Sequence, residues 1–343
     1  MSKPSEFKHW AKAAQKYFVH PETEACAQKF DELGLQPFWK LGLEASRSQC
    51  DAVYNKGVQH GLTVTGFQGD IKDILIPAPH LPDGIHAKVY TPKSVQEVPV
   101  IIIYFHGGGL VVGDLNMYEM CMMTLAKQNK AIVVVPEYRW LPCQQDRLAP
   151  FNDCDAVTRW VLDNKTAVGG VPSSFVGVAG DSAGGQLCCS VTYSIPGRLA
   201  FQVLVYPVAD IVLEGIESME DFWETPGFCG KDMEAMFKWC KLFEEPSHAN
   251  NPRVNPSAPR KANDPPLSAS PPTLMLLVQL DPLRDWGISY AGKLREAGVT
   301  VELQMVEGAP HISFSDVENY SSTSAEAHKI VAEYIQRLTQ VKQ

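Results

Sequence analysis

The sequence predicts an α/β fold, a mostly parallel sheet of about eight strands covered by helices, with extra helical segments forming a cap. Three observations carry this. Residues 99–105 (PVIIIYF) and 131–135 (AIVVV) are continuous apolar runs of strand length, with no polar position for a solvent-facing side. Helical stretches near 117–129, 150–164 and 184–194 alternate with the strands, as crossovers between parallel strands require. A serine flanked by glycines sits where the strand-like run 175–179 (FVGVA) gives way to the helical stretch 184–194.

In chain order, residues 1 to 65 carry helical apolar spacing, Phe7-Trp10-Ala14-Tyr17-Phe18 and Trp39-Leu43, and no strand. Strands then read at 71–76, 85–91, 99–105, 131–135, 175–179, 201–205, 273–278 and 299–306, with a closing helix over 322–339. Between the strands at 205 and 273 lies a segment too long for a turn, with aromatic pairs Phe222-Trp223 and Phe237-Trp239 and a proline-rich tract over 246–272. The chain thus divides into N-terminal cap helices over 1–65 and a catalytic domain over 66–343 that carries a cap insertion at about 206–272.

Composition narrows the function. The 343 residues are 45% hydrophobic and 20% charged, a globular mix that argues against long disorder. A net charge of −9 disfavours nucleic acid and anionic membrane surfaces as partners. Nine cysteines, an odd number without paired C-x-x-C spacing, read as reduced thiols and not as a disulfide framework or zinc site. The first residues lack the apolar core of a signal peptide and no run reaches membrane-spanning length, so a soluble, cytoplasmic protein without membrane insertion is expected.

The chemistry centres on Gly180-Asp181-Ser182-Ala183-Gly184. Glycines on both sides allow a turn too tight for side chains, which presents Ser182 at strained φ/ψ, and the N–H of Ala183 at the helix start points toward the serine oxygen. His106-Gly107-Gly108-Gly109 follows the strand at 99–105, where residues without side chains let backbone N–H groups face a substrate oxygen. Asp281 stands directly beyond the strand 273–278, and His311 beyond the strand 299–306. All three of Ser182, Asp281 and His311 therefore fall at one edge of the sheet, in the chain order of a serine nucleophile, its acid and its histidine. Asp285 is the rival acid, but it opens the helical stretch to Ala297 and reads as its N-cap.

His106–Gly109, Gly180-Asp181-Ser182-Ala183-Gly184-Gly185 and Asp281-Pro282-Leu283-Arg284-Asp285, with Tyr138-Arg139, Tyr290-Ala291 and Ala297-Gly298-Val299 as further landmarks, resemble the hormone-sensitive-lipase family of α/β-hydrolases. The resemblance covers roughly residues 70 to 340. It implies Ser182, Asp281 and His311 as catalytic triad, an oxyanion hole from the N–H groups of Gly108, Gly109 and Ala183 with Gly107 shaping that loop, and no cofactor or metal. It implies hydrolysis of a small-molecule ester through an acyl-enzyme, under a cap built from the N-terminal helices and the 206–272 insertion. Small or medium esters or lactones are the expected substrates; an amidase or formamidase of the same fold and a non-catalytic small-molecule receptor are the alternatives. The strand 299–306, at an edge of the sheet, is expected to pair with its symmetry mate in a homodimer.

Two departures stand out. Trp286 follows Asp285 where the family usually has a glutamate, which removes a carboxylate expected beside the site and alters its electrostatics. His311-Ile312-Ser313-Phe314 replaces the usual His-Gly-Phe, and the extra residue is expected to reshape the pocket wall.

Overall fold

In the computed structural model, which describes residues 8–340, one eight-stranded sheet runs through the molecule. Its strands are Gly69–Ala78 (β1), Leu81–Pro92 (β2), Ile101–Phe105 (β3), Ile132–Pro136 (β4), Val176–Asp181 (β5), Gln202–Val205 (β6), Thr273–Leu280 (β7) and Val301–Pro310 (β8), in the order β1-β2-β4-β3-β5-β6-β7-β8. Strands β3 to β8 are parallel, and the long β1–β2 hairpin joins β4 antiparallel. The apolar runs explain themselves here. Every side chain of β3 and β4 is buried, so neither strand has a face for a polar residue. Each large apolar side chain so withdrawn from water contributes roughly 1.5–3 kcal/mol.

Among its described residues the N-terminal segment holds Pro21–Glu32 (α1), Leu43–Tyr54 (α2) and Val58–Thr65 (α3) and no strand, as the sequence predicts. The first expected helix is corrected. Phe7 lies outside the described residues, and from Trp10 to Phe18 the chain makes only a 3₁₀ turn, Ala13–Gln15. The Glu24 carboxylate accepts the N–H groups of Lys8, His9 and Trp10, and Pro21 fixes an extended break at His20. The aromatic spacing serves packing instead: Trp10, Ala13 and Val19 form a small cluster with Phe222 and Leu280.

The crossovers decide which face each later helix covers. The chain moves one way from β3 to β4 through Glu119–Asn129 (α4), and back past β3 to β5 through Ala149–Asp163 (α5). Right-handed connections then set α4 on one face and α5 with Ala183–Ser194 (α6) on the other. The 206–272 insertion contains Glu217–Asp221 (α7), Gly230–Cys240 (α8) and Pro246–Ala249 (α9), followed by an irregular proline-rich stretch. Arg284–Glu296 (α10) connects β7 to β8, and Ser321–Gln340 (α11) packs against α4. Because the direction reverses at β3, the carboxyl ends of β3 and β5 bound a topological switch point, where open α/β sheets bind their ligands. No helix among the described residues is long and apolar enough to cross a membrane.

Candidate active site

Ser182 directly follows β5 at φ 56° and ψ −121°, a left-handed region that costs a non-glycine residue about 1–3 kcal/mol. The neighbouring strand pins it there: its N–H donates to the Val205 carbonyl at 2.9 Å and its carbonyl accepts from Val208 at 3.0 Å. Gly184 lets α6 begin against β3, since a Cβ there would lie 1.9 Å from the Phe105 carbonyl oxygen. Strand register does the rest. Phe105 pairs with Gly180, which brings the loop after β3 beside the serine.

The structure brings the three distant residues together. Ser182 Oγ is 3.0 Å from His311 Nε2, and His311 Nδ1 is 2.8 Å from Asp281 Oδ2. An ionised carboxylate only accepts, so Nδ1 carries the proton and Nε2 is left to accept from the serine hydroxyl. The other oxygen of Asp281 accepts the Leu283 N–H at 2.8 Å, which orients the carboxylate. All three residues are buried, Asp281 completely.

The glycine loop divides its labour. Gly107 donates its N–H to Tyr118 Oη at 2.9 Å and to Asp181 Oδ1 at 3.0 Å, so it shapes the loop and its N–H is not a donor for a bound oxygen. Gly108 lies at φ 109° against the Val112 carbonyl, and among the described residues neither its N–H nor that of Gly109 makes a hydrogen bond. Ala183 opens α6, where the first N–H has no intrahelical acceptor. Tyr138 stacks on the His106 ring at 4.2 Å and donates to the His106 carbonyl at 2.7 Å. Burial pushes His106 down to about 4, so its ring is neutral at physiological pH.

Asp181, quoted in the motif without a role, is the residue that sequence reasoning passed over. Its carboxylate accepts from Tyr104 at 2.7 Å, Tyr118 at 2.8 Å and Gly107. Complete burial pushes its pKa up, with the two tyrosine hydroxyls opposing. It ties the serine turn to the glycine loop. An acid closing an otherwise apolar strand is the signal that could have marked it.

Above the serine opens a cavity of about 490 Å³. Phe30, Phe38 and Val53 from the N-terminal segment, Phe228 and Met236 from the insertion, and Ile312 line it. The two flanking segments also bind each other. Asp232 of α8 accepts the Trp39 N–H at 2.9 Å, and Asp221 of α7 accepts from Lys16 at 2.6 Å and from Tyr17.

One further expectation is corrected by the geometry of α10. Asp285 does not cap its own helix: its Oδ2 accepts the Ser218 N–H at 2.9 Å, at the start of α7. Trp286, which stands where a carboxylate was expected, is buried, donates its indole N–H to the Val212 carbonyl at 2.9 Å, and stacks on Phe237 of α8. The expected carboxylate has become a contact with the insertion.

Comparison with known proteins agrees with this architecture. A family model described as alpha/beta hydrolase fold matches residues 102–315. Esterase LipI of Mycobacterium tuberculosis is 31% identical over 277 residues, 79% of this chain and 81% of its own. Carboxylesterase NlhH of the same organism is 34% identical over 226 residues, 64% and 68% of the two chains. A solved esterase structure from Pyrobaculum calidifontis superposes with a TM-score of 0.79 at 25% identity, over 94% of this chain and 99% of that one. Fold and matched span together define an α/β hydrolase. Within that class the chain belongs to the hormone-sensitive-lipase-like carboxylesterase family, and it is a serine carboxylic ester hydrolase.

Proposed function

We propose that Ser182, His311 and Asp281 are the catalytic triad, that the N–H groups of Gly108, Gly109 and Ala183 form the oxyanion hole, and that the substrates are small or medium carboxylic esters or lactones. The carrying observation is the hydrogen-bonded relay from Asp281 through His311 to Ser182 beneath the cavity. An intact relay also favours catalysis over a receptor role.

In this mechanism Ser182 Oγ bonds to the acyl carbon while its proton passes to His311 Nε2, and the carbonyl electron pair moves onto oxygen as a tetrahedral oxyanion. Preorganised N–H donors stabilise that oxyanion, each worth on the order of 10²- to 10³-fold in kcat. The intermediate collapses, the bond to the alcohol oxygen breaks, and His311 returns its proton to the leaving alkoxide. Water then attacks the acyl-enzyme with His311 as base, and the acid leaves with Ser182 restored. Asp281 holds the tautomer and stabilises the imidazolium.

We assign residues 1–65 and the 206–272 insertion to a cap, supported by their shared hydrogen bonds and by the apolar side chains both give the cavity. The free thiols support a reducing, cytoplasmic location. The terminal position of β8 in the sheet supports a homodimer formed by pairing of 299–306 with its twofold mate. The enzymatic reading is tested with p-nitrophenyl esters of graded acyl length: the parent turns over short and medium chains, and Ser182→Ala loses about 10⁴- to 10⁶-fold in kcat with its fold intact. A folded Ser182→Ala protein with near-parental activity refutes the triad.

A further inference from the structure

Two aromatic rings from different parts of the chain face the His311 imidazole. Tyr206, at the end of β6, has its ring centroid 4.4 Å away with an interplanar angle of 48°. Phe228 is stacked at 4.3 Å and 28°. Tyr206 belongs to the sheet, but Phe228 comes from the insertion, in the turn between α7 and α8, and is only 7% exposed. That turn is held firmly. The Gly230 and Lys231 N–H groups donate to the Phe222 and Trp223 carbonyls at 3.0 and 3.1 Å, and the Cys229 N–H donates to Asp232 at 3.0 Å. Asp232 also accepts from Trp39, so both cap segments fix where the ring stands.

We propose that Phe228 is a positioning residue for His311, through which the cap takes part in the chemistry as well as in binding. The inference rests on the triad reading above. When Ser182 gives its proton to Nε2, a cation forms on a ring that is 2% exposed, with little water to solvate it. The face of an aromatic ring carries negative charge density and stabilises such a cation, and a stacked neighbour also limits rotation of the imidazole away from its two hydrogen bonds. A leucine or methionine fills similar volume and supplies neither effect. Because Phe228 also lines the cavity, long esters would mix loss of catalysis with loss of binding. A short ester separates them.

The experiment compares the parent, Phe228→Leu, Phe228→Met, Phe228→Tyr and Ser182→Ala on p-nitrophenyl acetate, with circular dichroism and thermal unfolding of each. A desolvated cation–π contact corresponds to roughly a thirtyfold loss of kcat, expected in Phe228→Leu and Phe228→Met with KM within about twofold, while Phe228→Tyr stays within about threefold of the parent. Two replacements of different shape are used so that misfolding of one leaves the other to decide. Either folded variant retaining kcat within about twofold of the parent, or Phe228→Tyr falling as far as Phe228→Leu, overturns the proposal. An active Ser182→Ala removes the triad reading itself; an inactive Ser182→Ala beside a fully active Phe228→Leu removes this inference alone.

Discussion

Ile312, directly after the histidine, holds φ 72°, a conformation that a β-branched side chain adopts only under strain. Ser182 and Tyr206 at the site, and Leu110 just after the glycine loop, also have positive φ, so strain is concentrated here. At Ile312 the twist aims the carbonyl at the N–H groups of Ser315 and Asp316, both 3.0 Å away, and the side chain into the cavity. The related family usually has glycine at this position, which needs no such strain. Ile312→Gly should therefore cost less than about 1 kcal/mol in urea unfolding, against about 2–5 for truncating a well-packed isoleucine, while KM rises for medium-chain esters. A loss of several kcal/mol would show that the side chain's packing outweighs the strain. At this scale the proposed triad of Ser182, Asp281 and His311 was legible because each residue follows a strand that the sequence predicts. Asp181 and Phe228 stayed hidden, since what they touch is joined to them only by sheet register and by the course of the insertion.

Helix α10 is the element through which the sheet and the 206–272 insertion meet. Asp281 orients itself on the Leu283 N–H at its start, Asp285 caps α7 through Ser218, and Trp286 holds Val212 and Phe237. An aspartate at a helix start is rightly read as a cap, but the free N–H groups it finds need not belong to its own helix. Asp285→Ala should cost about 1 kcal/mol, with faster amide exchange in residues 216–222 and unchanged kcat on a short ester. Exchange that quickens in the first turn of α10 and not in α7 would restore the original reading. The same logic explains the lost first helix. Its aromatic spacing was legible, but Glu24 and the insertion satisfy that stretch from outside.

Over the whole molecule, acid stability is shaped by buried histidines. His106 and His328 are fully buried and pushed down to about 4 by burial. Their folded pKa lies below the unfolded value, so the stability they contribute is full above about 6.5 and is lost as pH falls toward 4. Buried Asp181, Asp232 and Asp316, with raised pKa, change in the opposite sense, so a single-site difference is the clean observable. The stability of the parent relative to His328→Gln should fall by roughly 2–3 kcal/mol between pH 7.5 and 4 in urea titrations. A constant difference would mean that His328 takes up its proton alike in the folded and unfolded chains. Assembly is a second test at this scale: β8 is the terminal strand of the sheet, and light scattering at micromolar concentration should give twice the chain mass. The chain mass alone would exclude the edge-paired dimer. The sheet itself was legible because a strand buried on both faces has no room for polar residues, whereas the antiparallel joining of β2 to β4 leaves no local mark.

The central claim is that Ser182 is activated by His311, and covalent labelling with a fluorophosphonate followed by peptide mass mapping tests it most directly, because only an activated serine reacts at an appreciable rate. The predicted result is one label per chain on the peptide containing Ser182, absent in Ser182→Ala and strongly slowed in His311→Ala. A label on another residue, or ester turnover that persists in a chain whose Ser182 is fully labelled, would contradict the account.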